Sequence, residues 1–98
     1  MLERKFQSEL ISELKEVFPG CVILKNDANY IQGFPDLLIL FGEHWAALEV
    51  KKDRYAQLQP NQEYYLEMLD NMSCAALIYP ENKDEIINAL RDRFEHWG

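Results

Sequence analysis

Two apolar runs joined by a single Gly-Glu pair constrain this chain more than any other feature. The first, Asp36-Leu-Leu-Ile-Leu-Phe41, is apolar on both alternations, which suits a central strand with both faces covered. Gly42-Glu43 is a Gly-X pair of the kind that a two-residue type II′ turn accepts. Trp45 to Lys51 then reads as the returning strand. With those two residues as the loop, Phe41 faces His44, Leu40 faces Trp45, and Asp36 lands opposite Glu49. Opposed side chains in an antiparallel pair have Cβ atoms roughly 4.5–5.5 Å apart, and like charges there are destabilising. A slip of one residue would move Asp36 to the other face.

Two carboxylates meeting at the edge of an apolar sheet need something between them; a divalent cation is the simplest answer, and hard oxygen ligands suit Mg²⁺ or Mn²⁺. Glu49 interrupts the otherwise apolar run Trp45-Ala-Ala-Leu-Glu-Val, a costly place for an isolated charge. Lys51 lies two residues on and therefore shares its face. A metal as Lewis acid, a water as nucleophile and a lysine as electrostatic partner are the equipment for hydrolysing a phosphodiester. The plainer alternative makes Asp36 a turn residue and Glu49–Lys51 a solvated charge pair.

The rest of the chain supplies the frame. Leu2, Phe6, Leu10, Leu14, Val17 and Phe18 recur at helical spacing, and Pro19-Gly20 ends that helix over residues 2–18. Residues 21–24 read as a strand and residues 26–33 as a polar loop. Pro60 suits the first turn of a second helix running to about Asn71. Ser73 to Tyr79 reads as a fourth strand ended by Pro80. Asn82 with Glu85 resembles a capping box opening a last helix that carries Ile86, Ile87, Leu90, Phe94 and Trp97. The order α-β-β-β-α-β-α predicts an α/β sandwich on a small mixed sheet, one domain over residues 1–98.

Further candidates surround the hairpin. Glu3 lies at the centre of the first helix's apolar stripe, with Gln7 on the same stripe; a fraying end explains Glu3 equally well. Gln62, on the apolar side of the second helix, is placed to reach a phosphate or a water near Lys51, or only to satisfy backbone groups at the helix start. Tyr65, one turn on, reads as a core aromatic. Gly33 permits a tight backbone before the strand, and Phe34 is expected to pack. Lys25 and Asn26 flank the same end of the sheet, and with Lys52 and Arg54 they are candidate phosphate contacts. His44 belongs to the far turn and receives no catalytic role. Cys21 and Cys74 have no zinc-ligand spacing with His44 and His96 and are expected to be buried, reduced thiols.

Composition is that of an ordinary soluble protein: 98 residues, 48% hydrophobic and 28% charged, with no apolar run of membrane-spanning length and no visible signal peptide. The expected location is the cytoplasm. The net charge of −7 sits awkwardly with phosphate binding, although Lys51, Lys52 and Arg54 form a local basic cluster. An assembly in which basic patches converge would resolve the difficulty.

Taken together, Glu3-x-x-x-Gln7, Gly33-Phe34-Pro35-Asp36-Leu37, Leu48-Glu49-Val50-Lys51-Lys52 and Leu58-Gln59-Pro60-Asn61-Gln62 resemble, in order and spacing, the PD-(D/E)xK nuclease superfamily. More narrowly, the chain resembles the stand-alone VRR-NUC domains of phages and bacteria. The resemblance implies a restriction-endonuclease-like αβββαβα fold and a structure-specific DNA endonuclease using Mg²⁺ or Mn²⁺, often as a homodimer. Branched DNA, such as Holliday junctions or flaps, is the implied substrate, and a bacterial cell or phage-infected host the implied setting. By the same resemblance, Asp36 and Glu49 hold metal with the Val50 carbonyl, Lys51 positions the water, and Glu3 and Gln62 complete the site. The acidic pI of about 4.7 departs from a junction binder's usual charge. Two other classes stay open: a non-catalytic nucleic-acid- or protein-binding module of the same fold, and an acidic, DNA-mimicking interaction protein.

Overall fold

The Gly42-Glu43 turn organises the molecule. The structure, a computed structural model, describes residues 2–96, with His96 described by its backbone alone. Trp97 lies outside the described residues. Gly42 has φ +62°, and no described non-glycine residue has positive φ, which is the sign pattern of a type II′ turn. It joins β2 (Leu37–Phe41) to β3 (His44–Val50), with Phe41 opposite His44 and Leu37 opposite Leu48. β1 (Val22–Lys25) pairs antiparallel on the outer side of β2, and β4 (Ala75–Ile78) pairs parallel with β3. The described residues thus form one four-stranded mixed sheet in the order β1-β2-β3-β4. Both strands of the hairpin are central, as their apolar runs require.

Residues directly opposite on neighbouring strands share a face. One face, carrying Leu37, Ile39, Ala46, Leu48, Val50 and Ile78, is covered by α1 (Glu3–Val17) and α3 (Lys83–His96). α1 contributes Phe6, Leu10 and Leu14 at helical spacing, and α3 contributes Ile87, Leu90 and Phe94. Phe18 follows α1 and meets Phe41 and Phe94 with ring centroids 5.4 and 5.2 Å apart. His44 stacks on Phe94 at 5.8 Å, so it is used in packing. The opposite face carries Glu49 and is only partly covered, by α2 (Pro60–Met72). On this face Val22 and Leu24 of the edge strand remain about half exposed.

Several element ends differ from the expected ones. The stripe of α1 starts at Phe6, and Leu2 is exposed. β4 is shorter than residues 73–79 because the Ser73 hydroxyl donates to the Trp45 carbonyl at 2.7 Å, and the Ala75 N–H is taken by Asp70 at 3.0 Å. Asn82 does not open α3. It closes a 3₁₀ turn, Pro80–Asn82, accepting the Tyr79 N–H at 2.8 Å and donating to the Leu77 carbonyl at 3.0 Å. That turn makes the side chain reach backwards, and α3 begins one residue later. Both thiols are free, but Cys21 is half-buried where burial was expected; its Sγ lies 3.8 Å from the Leu14 carbonyl. No helix among the described residues is long and apolar enough to cross a membrane.

Candidate metal centre and its surroundings

β2 begins one residue after Asp36, so Asp36 stands just outside the strand and its side chain turns across the hairpin. Its Oδ2 accepts the Val50 N–H at 2.8 Å. Its own backbone is pinned from the other side: the Asn26 N–H donates to the Asp36 carbonyl at 2.8 Å, and the Asn26 side chain donates to the Pro35 carbonyl at 2.6 Å. The Asp36 carboxylate is thereby fixed at the open end of the hairpin, beside Glu49.

Glu49 is 3% exposed, and among the described residues it is the charged one in an otherwise apolar core. Its Oε2 accepts the Gln62 Nε2–H at 3.0 Å and lies 3.5 Å from Lys51 Nζ. Its Oε1 is buried and has no hydrogen-bond donor. Burial first, and then the charge of Asp36, push the Glu49 carboxyl up to about 7, while Lys51 pulls it down. The protein thus holds two carboxyl groups together at a cost that one ammonium does not cancel.

Lys51 and Gln62 complete a small polar network. Lys51 Nζ donates to Gln62 Oε1 at 3.1 Å, and the same oxygen accepts the Gln59 N–H at 2.9 Å. Gln62 therefore does two things at once. It satisfies the start of α2, and it ties that helix to Glu49 and Lys51. The register of β3 puts Lys51 on the Glu49 face, and its N–H continues the parallel ladder to the Ile78 carbonyl at 2.9 Å.

Gly33 seats this arrangement against α2. It has φ +88°, and a Cβ there would fall 2.6–2.8 Å from the Asn61 side chain. Both the backbone conformation and the close approach require glycine. Phe34 packs edge-on against Tyr65 of α2, with centroids 5.4 Å apart. The sequence signals Gly33 and Phe34 but not Asn61, whose importance lies only in its nearness to Gly33.

The structure gathers Asp36, Glu49, Val50, Lys51 and Gln62. It does not gather Glu3. That side chain is exposed in the first turn of α1, and among the described residues no three His, Cys, Asp or Glu side chains are placed to share an ion. The sequence stripe pointed Glu3 inward, but the helix is buried only from Phe6 on. Asn26, expected to face phosphate, spends its amide on the Pro35 carbonyl and so positions Asp36. Arg54 forms an exposed ion pair with Glu81 at 3.4 Å. Lys25 and Lys52 are exposed.

A divalent cation fits the remaining donors. Glu49 keeps one buried carboxylate oxygen without a donor and stands beside a second carboxylate, and all the available ligands are hard oxygens. Mg²⁺ keeps several waters and binds through one or two carboxylates, so a third acidic side chain is not required.

Fold and site together define a restriction-endonuclease-like α/β domain with an acidic pair at the open end of its central hairpin. The chain is similar in structure to a solved VRR_NUC domain protein at 20% sequence identity and a TM-score of 0.70, covering 97% of this chain and 89% of that one. At that identity the likeness is one of fold. No protein-family model and no curated protein matches the sequence.

Proposed function

We propose that this chain is a metal-dependent, structure-specific DNA endonuclease that hydrolyses phosphodiester bonds, with branched DNA such as flaps or four-way junctions as substrate. The carrying observation is the buried Glu49 Oε1, without a donor, beside Asp36 and within one lysine's reach. The fold shared with a protein named for its VRR_NUC domain supports the same reading. Asp36 and Glu49, with the Val50 carbonyl, would hold Mg²⁺ or Mn²⁺, and such a cation supplies Lewis acidity toward the phosphodiester.

The chain's own groups divide the remaining work. Val50 N–H and Asn26 hold Asp36 in place, so the carboxylate does not need to reorganise. The Lys51 ammonium, held between Glu49 and Gln62, offsets charge that develops on the phosphate and orients an attacking water. Gln62 keeps that ammonium from collapsing onto Glu49 alone. Lys25 and Lys52 offer backbone-phosphate contacts. A homodimer is part of the proposal: two copies double the few phosphate contacts an acidic chain can make, and the uncovered sheet face at Val22, Leu24 and Leu40 offers apolar surface for a second copy. Cytoplasmic action, in a bacterial cell or a phage-infected host, belongs to the same proposal.

The test is direct. Purified protein is incubated with labelled linear, flapped and four-way DNA in Mg²⁺ or in Mn²⁺, beside Lys51→Ala and Asp36→Asn. Cleavage of the branched substrates by the wild type alone is expected. Cleavage that survives both substitutions, or none by the wild type with either metal, overturns the proposal.

A further inference from the structure

Beside Asp36 lies a cleft of about 440 Å³, lined by Lys25, Asn26, Asp27, Tyr30, Ile31 and Phe34. Its size falls in the range of small-ligand sites. Asn26 is the wall it shares with the metal centre, since that residue fixes both Pro35 and Asp36. Phe34, two residues before Asp36, is held from behind by Tyr65. Tyr30 is 85% exposed and contacts no other aromatic ring among the described residues. Lys25 has no ion-pair partner among the described residues. Asp27 is the cleft's one acid, and its Oδ1 is engaged by the Asn29 N–H at 2.8 Å, which fixes the loop.

We infer that this cleft takes one unpaired nucleotide of the substrate. Its base stacks against Tyr30 and Phe34, and a neighbouring phosphate meets Lys25. An aromatic side chain standing in water beside a second, fixed aromatic is a platform that accepts any base through its π-face. A base inside a duplex cannot offer that face without leaving the stack. Asp27 favours the same assignment: a carboxylate repels phosphate but accepts hydrogen bonds from the amino groups of a base. The consequence is selectivity. A flap or an opened junction has a base to give the cleft, and a fully paired linear duplex does not. This inference rests on DNA being the substrate, and it identifies which feature of branched DNA is read.

The test measures binding without cleavage. In EDTA, the full-length protein is titrated into a single-stranded oligonucleotide carrying 2-aminopurine and, separately, into a blunt duplex of the same length. Wild type and Tyr30→Phe are expected to quench the 2-aminopurine. Tyr30→Ala is expected to lose the quenching and to bind the single strand about tenfold more weakly, the scale of one lost stacking contact, with duplex binding unchanged. Lys25→Ala is expected to weaken single-strand binding and flatten its salt dependence by about one unit of slope. Equal loss on both DNAs, an unaffected Tyr30→Ala, or no single-strand binding by the wild type overturns the inference. Quenching with no cleavage in Mg²⁺ or Mn²⁺ would instead leave the cleft standing and remove the nuclease reading.

Discussion

Replacing Glu49 with glutamine should stabilise the metal-free protein. The residue is 3% exposed, and its carboxyl is pushed up to about 7 from an ordinary 4.5, by burial first and by Asp36 second. Because the folded-state value lies above the unfolded one, the fold prefers the protonated form. Stability from this group is complete below about pH 4.5 and is lost as pH rises through about 7. At about 1.4 kcal/mol per pH unit, the loss is about 3 kcal/mol. Glutamine has nearly the same shape and carries no charge, so it escapes that loss. In a domain of this size the difference amounts to a rise in Tm on the order of 10–20 °C. Wild type and Glu49→Gln are melted in EDTA between about pH 4 and about pH 8, followed by near-ultraviolet circular dichroism. The two melting temperatures should converge at the acid end and separate progressively toward the alkaline end. Adding Mn²⁺ at high pH should raise the wild type alone, since a cation that binds only the folded state stabilises it. Parallel curves for the two proteins would refute the reasoning, because Glu49 would then not be a buried charge held against a second carboxylate.

Other substitutions separate roles within the site. Gln62→Ala leaves Lys51 without its oxygen partner and Gln59 N–H without its cap, so it should lower kcat at unchanged KM and also cost about 1 kcal/mol of stability by urea unfolding. Gly33→Ala forces a Cβ toward Asn61 at a positive φ, and should destabilise the protein by about 1–3 kcal/mol in the same assay; an unchanged midpoint would show that the loop gives way. Lys52→Ala should weaken DNA binding and reduce the salt slope by about one. Arg54→Ala, which removes an exposed ion pair with Glu81, should change stability by less than about 1 kcal/mol.

The hairpin was legible because its information is local. A two-residue turn beginning with glycine allows one register, and that register brings Asp36 to Glu49 and places Lys51 beside it. Central strands announce themselves as unbroken apolar runs, and the helical stripes of α1 and α3 name the residues that cover one sheet face. Glu3 shows the limit of such patterns. A wheel assigns it a direction, but the helix end is uncovered, and nothing within its own segment reports that. Asn82 shows another limit, because its side chain had two local uses and the preceding Pro80 turn took it.

Local sequence specified the order of helices and strands up to their ends, the hairpin register, and the placing of Asp36, Glu49 and Lys51 on one face. Only the packing of helices on the sheet sets Gln62 between Glu49 and Lys51, pins Asp36 by Asn26, joins β4 to β3 in parallel and presses Gly33 against Asn61. Separation along the chain accounts for the difference. A turn fixes its flanking strands within a few residues, whereas a crossover brings together side chains whose meeting depends on how helices settle on the sheet.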